Sequence, residues 1–372
     1  MVTALGIGLR LLVATQGHNF DVDSYLIVAD IVERGGNVYA ETLRYNYGPV
    51  WFHILSAIGN AASFFPNTQE IAFRYILAGF LSLVDVGIFL VLWKKVGAAA
   101  AYLFFLNPIS ILITGYHSQF DNLAILVGLL AVIILGDNFD KGYDSRKLAG
   151  ALTLGLSLMI KHLLFAFPFW LAVKQRGIWE RIAIIIIPTL VFLLSFAPYW
   201  QDGQEGIIYN VFLYRSWDNQ FFFRLFIPEI LSKFINAPIV WLYLLVIFAI
   251  VLRHRNAFDS LLLYTCVLVA TSPALTNQYL AIVIPFISAN PNFFFLLYTI
   301  FGTYYLLISS DGLHLALESG FPLSSENYYA ILVILLCCGF IWQVWHQEII
   351  ALTKRMLLAI ETCVGNRKPP NR

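Results

Sequence analysis

Charge is what this chain has least of. Only 12% of its 372 residues are Asp, Glu, Lys or Arg, about half the share usual in a soluble domain. Net charge is +1, so there is no basic surface of the kind that holds nucleic acid. Cysteine is sparse too. Cys266, Cys337, Cys338 and Cys363 show no metal-ligand spacing and three lie in apolar runs, which argues against both a zinc site and a disulfide framework. Alternating apolar and polar positions are missing, and that excludes a membrane β-barrel. No tandem repeat, linker or cleavable signal peptide is read, and residues 1–372 are expected to form one multi-pass domain. What the chain does have is 59% hydrophobic residues and a mean hydropathy of +0.75. They are gathered in runs long enough to cross a bilayer as helices. The expected fold class is all-α, a polytopic transmembrane helical bundle.

Lys and Arg in short loops orient such a bundle. Lys94-Lys95, "DKGYDSRK" (140–147), "KQRGIWER" (174–181), "RHR" (253–255) and a basic tail at 347–372 are placed inside. Spans then fall at about 70–93, 97–115, 120–136, 181–199, 237–252, 257–271, 279–290, 293–309 and 328–346, after a short first helix carrying Arg10. Counting "PVWFHILSAIGNAASFF" (49–65) as a span would break the charge rule, so it is read as an interfacial helix. It follows another at about 21–35, within a first outer loop at 17–69. Trp51, His53, Phe64 and Phe65 suit that boundary. Residues 148–173 have basic flanks but are too short for two spans. Two short helices meeting near Lys161-His162 resolve this, and a broken helix is tolerated only against protein or a cavity.

In this map the unusual polar residues collect at one face: Asp21 and Asp23; His117, Gln119 and Asp121; Lys161 and His162; Arg215, Asp218, Asn219 and Arg224; Asn277, Gln278 and Tyr279. Such clustering suggests a site. Each also has a plainer reading, as a helix-start acid, a kink at Asn107-Pro108, a snorkelling lysine or a surface charge. Asp85 stands apart, mid-span, and reads as a structural contact between helices.

A sugar carried on a long-chain lipid phosphate would use this set. The tail needs a groove open to the bilayer and the phosphate needs cations at the interface. The acceptor hydroxyl needs a carboxylate to take its proton. Direct displacement at the anomeric carbon inverts configuration, and a phosphate leaves as an anion held by cations, without an acid.

Here the sequence resembles a known superfamily. "FDVDSYLIVADIVERGGNVYAETLRYNYGPV", with Asp21-Val22-Asp23 and then Tyr45-Asn46-Tyr47-Gly48-Pro49, resembles the first outer loop of GT-C glycosyltransferases. Among them it is most like the glycosylphosphatidylinositol first-mannose transferases. "NPISILITGYHSQFDN", with Asn107, Pro108, His117, Gln119 and Phe120, is similar to the His-x-x-Phe segment of dolichyl-phosphate-glucose-dependent glucosyltransferases. "IKHLLFAFPFWLA" looks like the Lys-rich segment of those enzymes, and "TNQYLAIVIP" like a late segment of the mannosyltransferases. The matches keep the family's order across about 20–285; each alone is a weak pattern. Gly48, and Gln278-Tyr279 in place of a charged pair, depart from the pattern and leave sugar and acceptor open.

The resemblance implies a GT-C-type bundle, a polyprenyl- or dolichyl-phosphate-sugar donor, a lipid-linked or glycan acceptor, an outward-facing site and an inverting mechanism. The expected function is hexose transfer, with mannose favoured and glucose possible. Asp21 and Asp23 are the catalytic candidates, with Asp23 preferred as lying nearer the helix body. Lys161, His162 and Arg215 are expected to hold the donor phosphate. His117, Gln119, Asp121, Tyr45, Tyr47, Gln278 and Tyr279 are expected to shape the sugar and acceptor site. A lipid monophosphate offers no diphosphate for a metal to bridge, so no cofactor or metal is required. A prokaryotic plasma membrane is favoured over endoplasmic reticulum. The rival readings are a lipid or solute transporter or flippase, for which inverted repeats are lacking, and a non-catalytic scaffold.

Overall fold

The computed structural model describes residues 1–137, 139, 142, 144–214, 236–308, 313 and 327–346. Among them all regular structure is helical. The helices are α1 (Val2–Ala14), α2 (Phe20–Glu33), α3 (Val38–Glu41), α4 (Pro49–Ala62), α5 (Gln69–Lys95), α6 (Ala98–Phe105), α7 (Pro108–Gly115), α8 (Asp121–Leu135), α9 (Ser145–Ile160), α10 (Phe167–Ala172), α11 (Ile178–Leu194), α12 (Trp200–Gly206), α13 (Ala237–Val251), α14 (Ala257–Ala270), α15 (Tyr279–Ile282), α16 (Ile284–Ala289), α17 (Phe293–Ile308) and α18 (Asn327–His346). The helical stretches Pro66–Lys95, Ile178–Phe212 and Asn327–His346 are each long and apolar enough to cross a membrane, and α6 with α7 makes a fourth if the bent pair is one span. This is an integral, multi-pass membrane protein. The expected tail at 347–372 lies outside the described residues.

Local chemistry explains the breaks. The 97–115 span bends by 47° between α6 and α7. There the Asn107 side chain accepts from the Ile109 N–H at 3.0 Å, capping α7, and Pro108 fills the first helical position, where a missing N–H does no harm. The 148–173 stretch divides as its flanks require. Helix α9 stops at Lys161, whose backbone is extended (φ −151°, ψ 125°), and a 3-10 turn over His162–Leu164 leads to α10. Three of the basic loops assigned to one face meet. Lys174 Nζ donates to the Arg253 and Arg255 carbonyls at 3.0 and 2.7 Å, and Lys147 Nζ donates to Gln175 Oε1 at 3.0 Å.

Burial runs in two groups. The larger is built from α5 to α11 and α13 to α18. The smaller centres on α2, α3 and α4, and reaches Phe120, Ala124 and Ile160 at the ends of α8 and α9. Helix α4 has 14 residues, about 21 Å of helix, short of the ~30 Å hydrocarbon core. One expectation about it is corrected. Trp51 is no boundary anchor: it is fully buried and stacks on Phe120 with ring centroids 3.9 Å apart and planes 9° apart. Its place as the third residue of α4 turns it toward α2 and α8, whereas Phe64 and Phe65, past the helix end, remain exposed.

Asp85 is the structural contact that its isolation suggests. Arg10 Nε donates to Asp85 Oδ2 at 2.8 Å, both residues being fully buried. Thr114 Oγ1 donates to Oδ2 at 2.8 Å and Asn122 Nδ2 to Oδ1 at 2.7 Å. The other Arg10 nitrogens reach the carbonyls of Gly6 and Phe105 and the Ser110 hydroxyl, between 2.9 and 3.1 Å. One charge pair thereby ties α1, α5, α7 and α8 with its hydrogen-bonding capacity used, which a buried ion pair requires.

Candidate active site

The site forms where the two packed groups meet. Asn19 caps α2: its Oδ1 accepts from the Asp21 N–H at 3.2 Å and its Nδ2 donates to Asp21 Oδ2 at 3.0 Å. Starting the helix at Phe20 fixes the directions of the two acids, because residues two apart on a helix point about 200° apart. Asp21 turns inward, where Gln119 Nε2 donates to its Oδ2. Asp23 turns outward, with a side chain 51% exposed and His18 Nδ1 3.8 Å away. The Asp-x-Asp pair is therefore split: Asp21 joins the cluster, and Asp23, expected from the sequence as the nearer to the helix body, points away from it. Among the described residues no three His, Cys, Asp or Glu side chains converge as a metal site.

The turn 116–120 between α7 and α8 brings His117 and Gln119 to this place. It contains Ser118, which is buried and has φ 50°, the only positive φ at a non-glycine among the described residues. Strained backbone of this kind concentrates at functional sites. His117 is 2% exposed with no hydrogen-bond partner for Nε2. Burial pushes its pKa down to about 4, so the ring is neutral near pH 7.

Asp121 opens α8 and meets Lys161 at the end of α9, Nζ to Oδ2 2.7 Å, with both residues buried. Ser157 Oγ donates to the Ala124 carbonyl at 2.7 Å, holding the two helix ends together. The lysine ammonium also lies 4.8 Å from the Phe120 ring centroid and 5.1 Å from that of Tyr47, within cation–π range. Asp121 Oδ1, Gln119 Oε1 and the Tyr25 hydroxyl, all buried, have no partner in the protein. Buried polar atoms left this way are uncommon, and here several border one spot. Burial, followed by the Asp21 and Asp121 charges, raises the Tyr47 phenol above its usual pKa. Asp121 also acts electrostatically on Tyr279, which Tyr214 approaches in turn. Asp21 and Gln119 are thus joined by a hydrogen bond, and Asp121, Lys161 and Tyr47 by the ion pair and the aromatic contact.

Other expected residues are placed differently. His162 turns from Lys161 toward Phe192 of α11, ring centroids 6.1 Å apart, because consecutive residues at a helix break point to different sides. Tyr45 is buried and its hydroxyl is occupied by backbone, donating to the Gly48 carbonyl and accepting from Phe52 N–H. Gln278 is half-buried and precedes α15 without a side-chain cap. Arg215, with Asp218, Asn219 and Arg224, lies outside the described residues.

Sequence reasoning missed Asn19, Tyr25, Trp51 and Phe120 as parts of the site wall. Asn19 carried a readable signal, since Asn directly before "FDVDSYL" is a helix-start pattern. The Trp51–Phe120 stack carried none. A cavity of about 70 Å³, away from this cluster, is bordered by Arg255, Asp259, Asn290 and Gln343. It lies at the other end of the bundle, since Ala257 N–H donates to Asp137 just past the end of α8, and it is too small for a sugar.

No known protein-family model matches the sequence, and no curated protein matches it. Among solved structures the chain is similar to ArnT from Cupriavidus metallidurans in its apo state, with 12% identity and a TM-score of 0.49 over 91% of this chain and 74% of that one.

Proposed function

We propose that this protein is an inverting membrane glycosyltransferase of the GT-C type. It moves a hexose, mannose in preference to glucose, from a polyprenyl-phosphate sugar to a lipid-linked or glycan acceptor at the outer face of a membrane, the prokaryotic plasma membrane by preference. The observation that carries this reading is the convergence of one oriented carboxylate, Asp21, with the Lys161–Asp121 pair and buried polar atoms that lack protein partners.

In the proposed reaction the acceptor hydroxyl gives its proton to Asp21. Both side-chain hydrogen bonds to this carboxylate go to Oδ2, leaving Oδ1 to receive the proton. The acceptor oxygen forms its bond to the anomeric carbon as the carbon–oxygen bond to phosphate breaks, and polyprenyl phosphate departs with that electron pair. Lys161 faces the leaving phosphate, and neutral His117 and Gln119 border the sugar. Asp21, Asp121 and Lys161 sum to one formal negative charge, so a donor phosphodiester needs a further cation beside it. Arg215, which follows Tyr214 in sequence, is proposed to supply it.

The test is release of polyprenyl phosphate from a polyprenyl-phosphate sugar by purified protein. Asp21→Asn should lower the rate by about 10²–10⁴-fold, the range for removing a general base, and Asp23→Asn should leave it within about threefold. Full turnover in the Asp21 variant rules out the assigned base. Movement of intact donor without cleavage favours a flippase.

A further inference from the structure

Asp85 holds both ends of the turn that carries the site. Thr114, which donates to Oδ2, is in the last turn of α7, and Asn122, which donates to Oδ1, is in the first turn of α8. Between them run Gly115 to Asp121, including strained Ser118, Gln119 on Asp21, and Asp121 on Lys161. After the Tyr116 N–H bond to Leu112 at 2.9 Å, the turn's backbone bonds lengthen: His117 N–H to Leu112 and Gln119 N–H to Ile113 are both 3.3 Å, and His117 Nε2 and Gln119 Oε1 have no partner. Successive residues on α8 point about 100° apart, so Asn122 faces Asp85 while Asp121 faces Lys161. Arg10 fixes the Asp85 carboxylate in place, and Ser110 bridges them, accepting from Arg10 Nη2 at 2.9 Å and donating to Asp85 Oδ2 at 3.5 Å.

We infer that Asp85, through Thr114 and Asn122, is a positioning residue for the site: it clamps the 116–120 turn in its strained form, so that Gln119 orients Asp21 and Asp121 orients Lys161. Its role in turnover rests on the transferase reading above; its hold on the turn does not. The clamp acts in the chemical step, because it fixes the directions of Asp21 and Lys161 without touching substrate.

Variants Thr114→Val and Asn122→Ala each remove one arm and leave the Arg10–Asp85 pair intact, so the helices remain tied. Amide hydrogen exchange in detergent, read on peptides covering 116–121, should speed up about tenfold in both variants, with exchange in α5 and α9 unchanged. Thr114→Ser, which keeps the hydroxyl, should behave as the unaltered protein. In the polyprenyl phosphate release assay kcat should fall about tenfold with donor KM unchanged, the signature of misplaced groups as opposed to lost binding, and Thr114→Ser should restore it. Unchanged exchange at 116–121 in both variants overturns the clamp. So does a rise in KM alone, or an equal loss in Thr114→Ser. If the unaltered protein releases no polyprenyl phosphate while exchange responds as stated, the transferase reading fails and the clamp stands.

Discussion

Two buried ion pairs that meet α8 at consecutive residues, Asn122 and Asp121, teach different lessons. Arg10–Asp85 is closed: both carboxylate oxygens and all three guanidinium nitrogens have partners, and both residues are fully buried. Lys161–Asp121 is open: Asp121 Oδ1 has no protein partner, and beyond the carboxylate the ammonium has two aromatic faces. A closed network is a fastener, because any change leaves a desolvated charge behind. An open one keeps hydrogen-bonding capacity that a substrate can use.

Breaking the closed pair should have the largest effect. Asp85→Ala leaves Arg10 charged and buried, and should cost about 3–5 kcal/mol, read as loss of folded protein in detergent. Arg10→Met with Asp85→Asn, which removes both charges, should recover most of the folded yield.

The matching neutral replacement of the open pair, Lys161→Met with Asp121→Asn, sharpens the contrast. Folded yield and melting temperature should stay near those of the unaltered protein, while turnover falls about 10²–10³-fold, the range for losing one preorganised electrostatic contact. Equal losses of folding from the two double variants would erase the distinction.

A smaller effect is expected at Gly48, where a Cβ would run into the Met159 carbonyl close to the end of α9. Gly48→Ala should destabilise by about 1–3 kcal/mol through overpacking, and should unseat Tyr47 from Lys161. A melting curve with donor KM measured alongside checks this.

The smallest effect at neutral pH belongs to His117. Its folded pKa of about 4 lies below the ordinary value near 6.5, so its neutral form stabilises the fold fully above about pH 6.5 and that contribution is lost as pH falls toward 4. His117→Gln should match the unaltered protein at pH 7 and lose less stability than it between about pH 6 and 4. Melting temperature against pH reads both.

The same contrast separates what was legible in the sequence. Helix ends were readable because their causes are local: Asn107-Pro108 marks the bend, Lys94-Lys95 closes α5, and the basic flanks of 148–173 demand a break near Lys161. The isolation of Asp85 marks it as a structural contact, but its partner Arg10 lies 75 positions away and nothing in the spacing names it. The split of Asp21 from Asp23 was within reach, since a helix starting after Asn19 must point them apart. A motif reading treats the two acids as one pair, whereas a helix turns them to different sides.

By itself the sequence determined that this chain is a helical membrane protein whose acids and cations favour one end, because hydropathy and loop charge act residue by residue. Only the tertiary structure decided which of those groups meet. Gln119 reaches Asp21 across 98 positions and Lys161 reaches Asp121 across 40. Such contacts are set by helix rotation and by packing, Trp51 on Phe120 above all, and those depend on the whole bundle at once.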